Sequence, residues 1–294
     1  MTPDLTPAQS APPHNDFARL STALADTAAS ASARVVTVLA HRPISGTVTG
    51  QGQVLTIAHA LHGDEVQVRT DDDRLLSASV AGRDPVSDLA LLSVPDLGGS
   101  APEAAPTPRT AELLLALGRP GQLQASLGMF GQVAPVSGWL ASGAAPFRGV
   151  SGGALLDAQG RLLGILNAGM VRGQLLALPL AAAVKVAGIL AERGRVPQGY
   201  LGVGTQPVRF PSAEAGSGRG RGRLGLTVVR IEEGSPAQAA GLKVGDVLLA
   251  LNGEALKHPA ALHEEIRRRA GEQADLNVLR GGEELTLAVM LGER

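Results

Sequence analysis

Residues 147–153 read F-R-G-V-S-G-G. A serine set between glycines has two readings. Small residues make tight turns, and this chain has 38 glycines. Alternatively, Ser151 is a nucleophile, and its glycine neighbours let backbone N–H groups come close to a reacting carbonyl. S-G-G also occurs in ordinary loops, so the motif alone cannot decide. A serine hydroxyl is a poor nucleophile until a base takes its proton. The histidines are His14, His41, His59, His62, His258 and His263. His14 lies in a polar tail, His258 and His263 lie in the last unit, and His41 follows a strand end with no companion signal. His59 ends the apolar strand of V-L-T-I-A-H-A-L, between small Ala58 and Ala60. A carboxylate that orients the imidazole is offered by Asp88 in D-P-V-S-D-L-A-L-L, directly before another apolar strand. Taken singly, His59 is a structural strand-end residue and Asp88 an ordinary strand N-terminus.

The elements that must position these residues are short strands. V-V-T-V-L, S-G-T-V-T-G, Q-V-L-T-I-A, E-V-Q-V-R-T, L-L-S-A-S-V and D-L-A-L-L-S-V crowd the stretch after Arg34 and predict one antiparallel barrel or sandwich. Residues 95–109 are a linker by composition. A second strand set runs from L-L-L-A-L-G to L-L-A-L-P-L. Residues 181–194 switch to helical period, with Ala183, Val186, Ala187 and Leu190 on one stripe and Gly194 as the cap; this helix closes the domain. Upstream, residues 1–16 form a mobile Pro-rich tail, and residues 17–32 form a short helix with Phe17 as its one large anchor.

A new unit begins at Gly199. An insert at about 211–223, rich in Gly, Ser and Arg, cannot pack a core. Its arginines have no interleaved aromatics, which favours a solvated loop over an RNA contact. Ser235 caps a short helix opened by Pro236 and ended by Gly241. Asn252-Gly253 is a hairpin turn. Pro259 opens a helix with Leu262, Ile266 and Ala270 on one stripe. After the Gly281-Gly282 turn, Leu285, Leu287, Val289 and Leu291 alternate as a strand.

The order His59, Asp88, Ser151 is that of the triad in chymotrypsin. V-L-T-I-A-H-A-L, D-P-V-S-D-L-A-L-L and G-V-S-G-G-A-L-L-D-A-Q-G-R-L-L-G-I resemble the three catalytic blocks of the HtrA/Deg serine proteases. G-S-P-A-Q-A-A-G-L-K-V-G-D-V-L-L-A-L-N-G resembles the signature of a PDZ domain. The resemblance implies a mainly β fold: two antiparallel β-barrels over residues 17–198, then a small α+β PDZ domain over 199–294. It implies Ser151 as nucleophile, His59 as general base and then acid, and Asp88 as its orienter. The Gly149 and Ser151 N–H groups would form the oxyanion hole, with the Val150 peptide setting their direction. No metal or organic cofactor is needed. Tyr200-Leu201-Gly202-Val203 would be the carboxylate loop and pairing strand of the PDZ groove, with Leu262 and Ile266 lining the pocket for a terminal side chain; core membership is the bland reading of those last two.

The primary specificity pocket would be built from Ala145 on one wall and Leu166, Asn167 and Ala168 on the other, without a carboxylate. Cleavage after Val, Ala, Leu or Ile is expected. The family usually has Asn where this chain has Val150, and an Asp-containing run where this chain has S-G-A-A-P-F-R. Those departures leave room for a second reading, a non-proteolytic peptide-binding or chaperone protein on the same fold. The first reading is an endopeptidase acting on unfolded or damaged proteins.

Bulk composition narrows the classes. The chain has 294 residues, 44% hydrophobic and 18% charged, which describes a globular protein of about two domains. A net charge of −1 and 2% aromatics argue against nucleic acid as a partner. With no cysteines, thiolate chemistry and disulfides are excluded. The N-terminus has neither a basic n-region nor an apolar h-region. The chain as written reads as cytoplasmic, whereas the resemblance points to the cell envelope, so the compartment stays open between a cytoplasmic protein and one whose leader is missing. The resemblance also implies a homotrimer built by the N-terminal segment.

Overall fold

The structure, a computed structural model, describes residues 15–210 and 223–294. Nearly all of the expected tail and of the Gly/Arg-rich insert lies outside the described residues. The chain divides between Val196 and Pro197 into two compact units. Gln198 falls with the second because its backbone exchanges hydrogen bonds with Arg294, at 3.0 and 2.9 Å.

The first unit opens with α1 (Asp16–Ser30), capped by Asn15 Oδ1 accepting from Ala18 N–H at 3.1 Å. Phe17 does not anchor the helix to the core of this unit: it is 80% exposed, on the first turn, while Ala28 and Ala31 at the other end meet the core. Next come β1 (Val35–Leu39), β2 (Ile44–Gly50), β3 (Gln53–Ile57), β4 (Glu65–Arg69), β5 (Leu75–Asp84) and β6 (Leu89–Ser93). They close an antiparallel barrel in the order β1-β2-β3-β6-β5-β4. In β6, Ala90 and Leu92 face one core while Leu89 and Leu91 face another. Both faces of such a strand are covered, so it reads as a continuous apolar run rather than an alternation.

The second strand set is β7 (Leu113–Gly118), β8 (Gln124–Met129), β9 (Leu140–Ala141), β10 (Ala154–Asp157), β11 (Leu162–Asn167) and β12 (Leu176–Pro179). Its order is β8-β7-β10-β11-β12-β9, and no ladder joins β8 to β9. Two glycines bring these edges together instead. A Cβ on Gly128 would stand 2.1 Å from Ser142 O, and one on Gly143 would stand 2.3 Å from Met129 O.

Helix α2 (Leu180–Arg193) then packs on β5 and β6 of the first barrel and on β11 and β12 of the second. It buries Leu180, Ala183, Ala187 and Leu190, and Gly194 caps it at φ 70°. Gly82 makes the seat: a Cβ there would lie 2.5 Å from Gly194 O.

The second unit contains β13 (Gly199–Tyr200), β14 (Val203–Phe210), β15 (Arg223–Ile231), α3 (Pro236–Ala239), β16 (Val247–Leu251) and β17 (Glu254–Ala255), followed by α4 (Pro259–Arg267), β18 (Gln273–Arg280), β19 (Glu283–Met290) and β20 (Gly292–Glu293). The main sheet runs β14-β15-β16-β18-β19, which leaves β14 at an edge. Ser235 Oγ caps α3, and the Asn252-Gly253 turn has φ 47° and 83°, as a type I′ hairpin demands. Ala270 lies beyond α4, which stops at Arg267, so the helical stripe is Leu262 and Ile266. Among the described residues no helix is long and apolar enough to cross a membrane.

Candidate active site

Strand register brings His59 and Asp88 together. Ile57 pairs with Leu89 across β3 and β6, and one step further Ala58 N–H donates to Asp88 O at 2.8 Å. His59 and Asp88 are therefore neighbours at the same end of two paired strands. His59 Nδ1 lies 2.6 Å from Asp88 Oδ2, and His59 N–H donates to Oδ1 at 2.9 Å. Because a carboxylate only accepts, Nδ1 carries a proton, so in the neutral imidazole the lone pair is on Nε2. Asp88 also accepts from Asn167 Nδ2 at 2.8 Å. Its φ of 55° is left-handed, a conformation that Asp tolerates better than most residues and that is often found at functional sites. The aspartate side chain is 14% exposed and the histidine 58%, so the pair is covered on the acid side and open at the imidazole.

Ser151 comes from the loop before β10. Three glycines explain that loop, and turn-making is only part of their use. Gly149 and Gly152 have φ of 78° and 85°. Cβ atoms on Gly149, Gly152 and Gly153 would stand 2.4 Å from Pro120 Cβ, 2.0 Å from Ser45 O and 2.1 Å from Leu117 O. The backbone thus lies directly against both barrels, a packing open only to glycine. Buried hydroxyls fix it further: Ser45 Oγ donates to Gly149 O at 2.7 Å, Thr47 Oγ1 to Gly152 O at 2.8 Å, and Thr56 Oγ1 to Ser45 O at 2.8 Å. Arg119 N–H in turn donates to Ser45 Oγ at 2.8 Å, while its guanidinium binds Val35 O and Ser32.

Val150 is fully buried with Leu114, Leu155 and Leu166. Its N–H donates to Phe147 O at 3.2 Å and its carbonyl accepts from Gly153 N–H at 2.9 Å. An apolar side chain thus anchors this position by burial. Among the described residues the N–H groups of Gly149 and Ser151 donate to no protein acceptor.

A cavity of about 360 Å³ brings His59, Gly149 and Ser151 together. Ser151 Oγ accepts from Ala168 N–H at 3.0 Å rather than bonding to His59. The residues expected to wall the specificity pocket are placed differently from one another. Leu166 is fully buried in the second-barrel core, and Asn167, 2% exposed, is turned to Asp88. Ala145 is exposed, whereas Ala144 is buried against the core on which Ala168 packs. The roles of Asn167, Ser45 and Arg119 carry no local signal, because each acts across a gap of 70 residues or more, such as the 79 between Asn167 and Asp88.

In the second unit, Tyr200, Leu201, Gly202, Val203, Leu262 and Ile266 line a single cavity of about 310 Å³. Gly202 sits at φ 79°, and a Cβ there would lie 2.3 Å from Ser235 Cβ. Tyr200 OH donates to Glu232, which also accepts from Arg294 Nη2 at 3.0 Å, and that guanidinium lies 3.8 Å over the tyrosine ring. The hydrogen bond from Tyr200, and then Arg294, hold the Glu232 carboxyl below its ordinary range.

Residues 44–165 match the trypsin-like peptidase domain and residues 199–291 match the PDZ domain. A probable periplasmic serine endoprotease, DegP-like, from Ectopseudomonas mendocina is 33% identical over 267 residues, covering 83% of this chain and 55% of that protein. Its counterpart from Hahella chejuensis is 32% identical over 268 residues, covering 84% and 56%. The chain thus spans little more than half the length of these relatives. Among solved structures, a serine endoprotease from Yersinia pestis superposes with a TM-score of 0.74 at 25% identity, over 92% of this chain and 97% of that one. The HtrA-type protease AlgW, solved with a decapeptide, gives 0.73 at 26%, over 92% and 98%. The chain belongs to the HtrA family, as a trypsin-like peptidase domain followed by one PDZ domain.

Proposed function

We propose that the protein is a serine endopeptidase that cleaves unfolded or damaged polypeptides through an acyl-enzyme, with the first unit, from residue 17 to Val196, as the peptidase domain. The observation that carries this reading is the 2.6 Å His59–Asp88 bond beside a cavity shared with Ser151 and Gly149. Rotation of the Ser151 side chain exchanges its bond from Ala168 N–H for one to His59 Nε2. Oγ then attacks the scissile carbonyl carbon as Nε2 takes its proton. The carbonyl oxygen becomes an oxyanion, received by the two uncommitted N–H groups of Gly149 and Ser151. Collapse of the tetrahedral intermediate breaks the C–N bond, and the imidazolium returns the proton to the leaving amine. Water, activated by the same imidazole, hydrolyses the ester. Asp88 stabilises the imidazolium throughout, and Asn167 holds Asp88.

Burial of Val150 supports this reading over peptide binding alone, because the loop is anchored without the polar residue common in the family. Ala144 and Ala168, packed on an apolar core, support cleavage after Val, Ala, Leu or Ile. Residues 199–294 serve as the PDZ domain, capturing C-terminal peptides as an added strand on the β14 edge. The decapeptide carried by AlgW and the periplasmic naming of the relatives support peptide capture and a cell-envelope setting. Exposed Phe17 and Leu20 on α1 support assembly of a homotrimer through that helix.

A fluorophosphonate probe tests the nucleophile. Labelling of the wild type that is lost in Ser151→Ala is expected, and an unlabelled wild type overturns the reading.

A further inference from the structure

The cavity beside Ser151 has walls that the triad does not use. Beyond His59, Gly149 and Ser151 they include His41, Arg42, His62 and Arg148, over a floor of Ile44 and Ile57. No carboxylate lines it. The imidazoles of His41 and His62 have ring centroids 6.5 Å apart and are tilted by 59° to one another. Elsewhere in this unit, Arg83 and Arg161 pair with Asp64 and Asp157. Among the described residues Arg42 and Arg148 have no such carboxylate. Arg42 and Arg148, with His41 and His62, therefore line one depression that has no carboxylate among its walls. Such a depression focuses positive potential on whatever enters.

Its position identifies what enters. The segment 166–169 flanks the reactive groups on one side: Ala168 N–H is bonded to Ser151 Oγ, and a Cβ on Gly169 would lie 3.2 Å from His59 Cε1. No residue of that segment lines the cavity, which is bounded by the β1–β2 turn, by residues 57–62 and by the oxyanion loop. A peptide whose carbonyl carbon sits on Ser151 Oγ must run from one side to the other. The residue before the cut lies along 144–147 and 166–169, so the residues after it fall in the cavity.

We propose that this cavity is the subsite for the residue following the scissile bond, and that Arg42 and Arg148 make it select Asp or Glu there. The proposal rests on Ser151 being the nucleophile. Guanidiniums suit the task because they present paired donors to a carboxylate and hold their charge at any working pH. The groups are exposed, so the selection is modest, roughly five- to tenfold, and declines with added salt.

The full chain is assayed with three internally quenched decapeptides that differ only in the residue after the cut, Asp, Asn or Lys, with the cut confirmed by mass spectrometry. The expected order in kcat/KM is Asp, then Asn, then Lys, with about five- to tenfold between the first two. The Asp/Asn ratio should fall toward one in the Arg42→Gln/Arg148→Gln double variant, and Lys should become favoured in Arg42→Glu/Arg148→Glu. Thermal melts confirm that both variants fold. Equal kcat/KM for the three peptides in the wild type overturns the subsite while leaving the nucleophile intact. Failure to cut any peptide, together with no fluorophosphonate label on Ser151, overturns the nucleophile and the subsite with it.

Discussion

Two loops in this molecule are made from similar material. The run Gly149–Gly153 precedes β10, and the run Gly199–Gly202 precedes β14; both bring backbone against a neighbour too closely for any Cβ. Their anchoring differs. The first is held by Ser45, Thr47 and Thr56, all fully buried, with Arg119 behind them. The second is held by Tyr200, Glu232 and Arg294, whose carboxylate and guanidinium are 39% and 65% exposed. Chemistry at a carbonyl loses about a hundredfold for an ångström of misplacement, whereas an added β-strand tolerates adjustment in its pocket. Buried hydroxyls give the first kind of precision, and a solvated ion pair suffices for the second.

The widest separation between the two loops comes from the chemistry itself. Ser151→Ala should lower peptide hydrolysis by about 10⁵–10⁶ and Asp88→Asn by about 10⁴, with binding of C-terminal peptides unchanged by calorimetry. Comparable losses of binding in either variant would show that the two functions are not separable.

A methyl group at a tight glycine comes next. Gly152→Ala, with its Cβ 2.0 Å from Ser45 O, should destabilise the first unit by several kcal/mol in urea titration and remove activity. Gly202→Ala should abolish peptide binding while leaving hydrolysis of a short peptide intact.

Removing one anchor from each loop sharpens the contrast. Ser45→Ala leaves Gly149 O and Arg119 N–H unpaired inside the protein, and should cost about 1–3 kcal/mol together with a ten- to hundredfold drop in kcat at nearly constant KM. Tyr200→Phe should change peptide affinity less than about threefold, because water replaces the lost partner.

The smallest effect is a pH dependence confined to the second unit. Burial raises the Asp246 pKa, but hydrogen bonds from Arg280 and from Lys243 N–H, with the Arg280 charge, bring it below its ordinary value. The unfolded chain therefore binds this proton first on acidification. The stabilisation is complete above the ordinary carboxylate value and is lost as pH falls through the lowered one. Asp246→Asn should flatten the melting temperature of the isolated unit across that window; an unchanged slope would assign the acid sensitivity to other groups.

Local signals made much of this legible. The caps at Ser235 and Gly194, the Asn252-Gly253 turn and the apolar runs of β3 and β6 are written within a few residues of where they act. His59 and Asp88 were readable because each follows or precedes such a run. Asn167 was not, because its partner Asp88 is 79 residues away and nothing in G-I-L-N-A-G distinguishes a pocket wall from a second support. The seam between Gly128 and Gly143 was hidden for a related reason, since a glycine there resembles one in any turn. The size of Phe17 does not imply burial, because a large residue on a first turn reaches the core only if the helix lies flat on it.

Helix α2 lies at the end of the peptidase unit in sequence but at its centre in packing, where Ala183 and Leu190 fill a core drawn from both barrels. Synthesis runs the other way. The strands carrying His59 and Asp88 leave the ribosome first and can close their barrel, yet the shared core stays open until Gly194 emerges. In a chain folding in that order, His59 and Asp88 can pair well before Ser151 has a settled position, and α2 is the last element to join the core that the two barrels share.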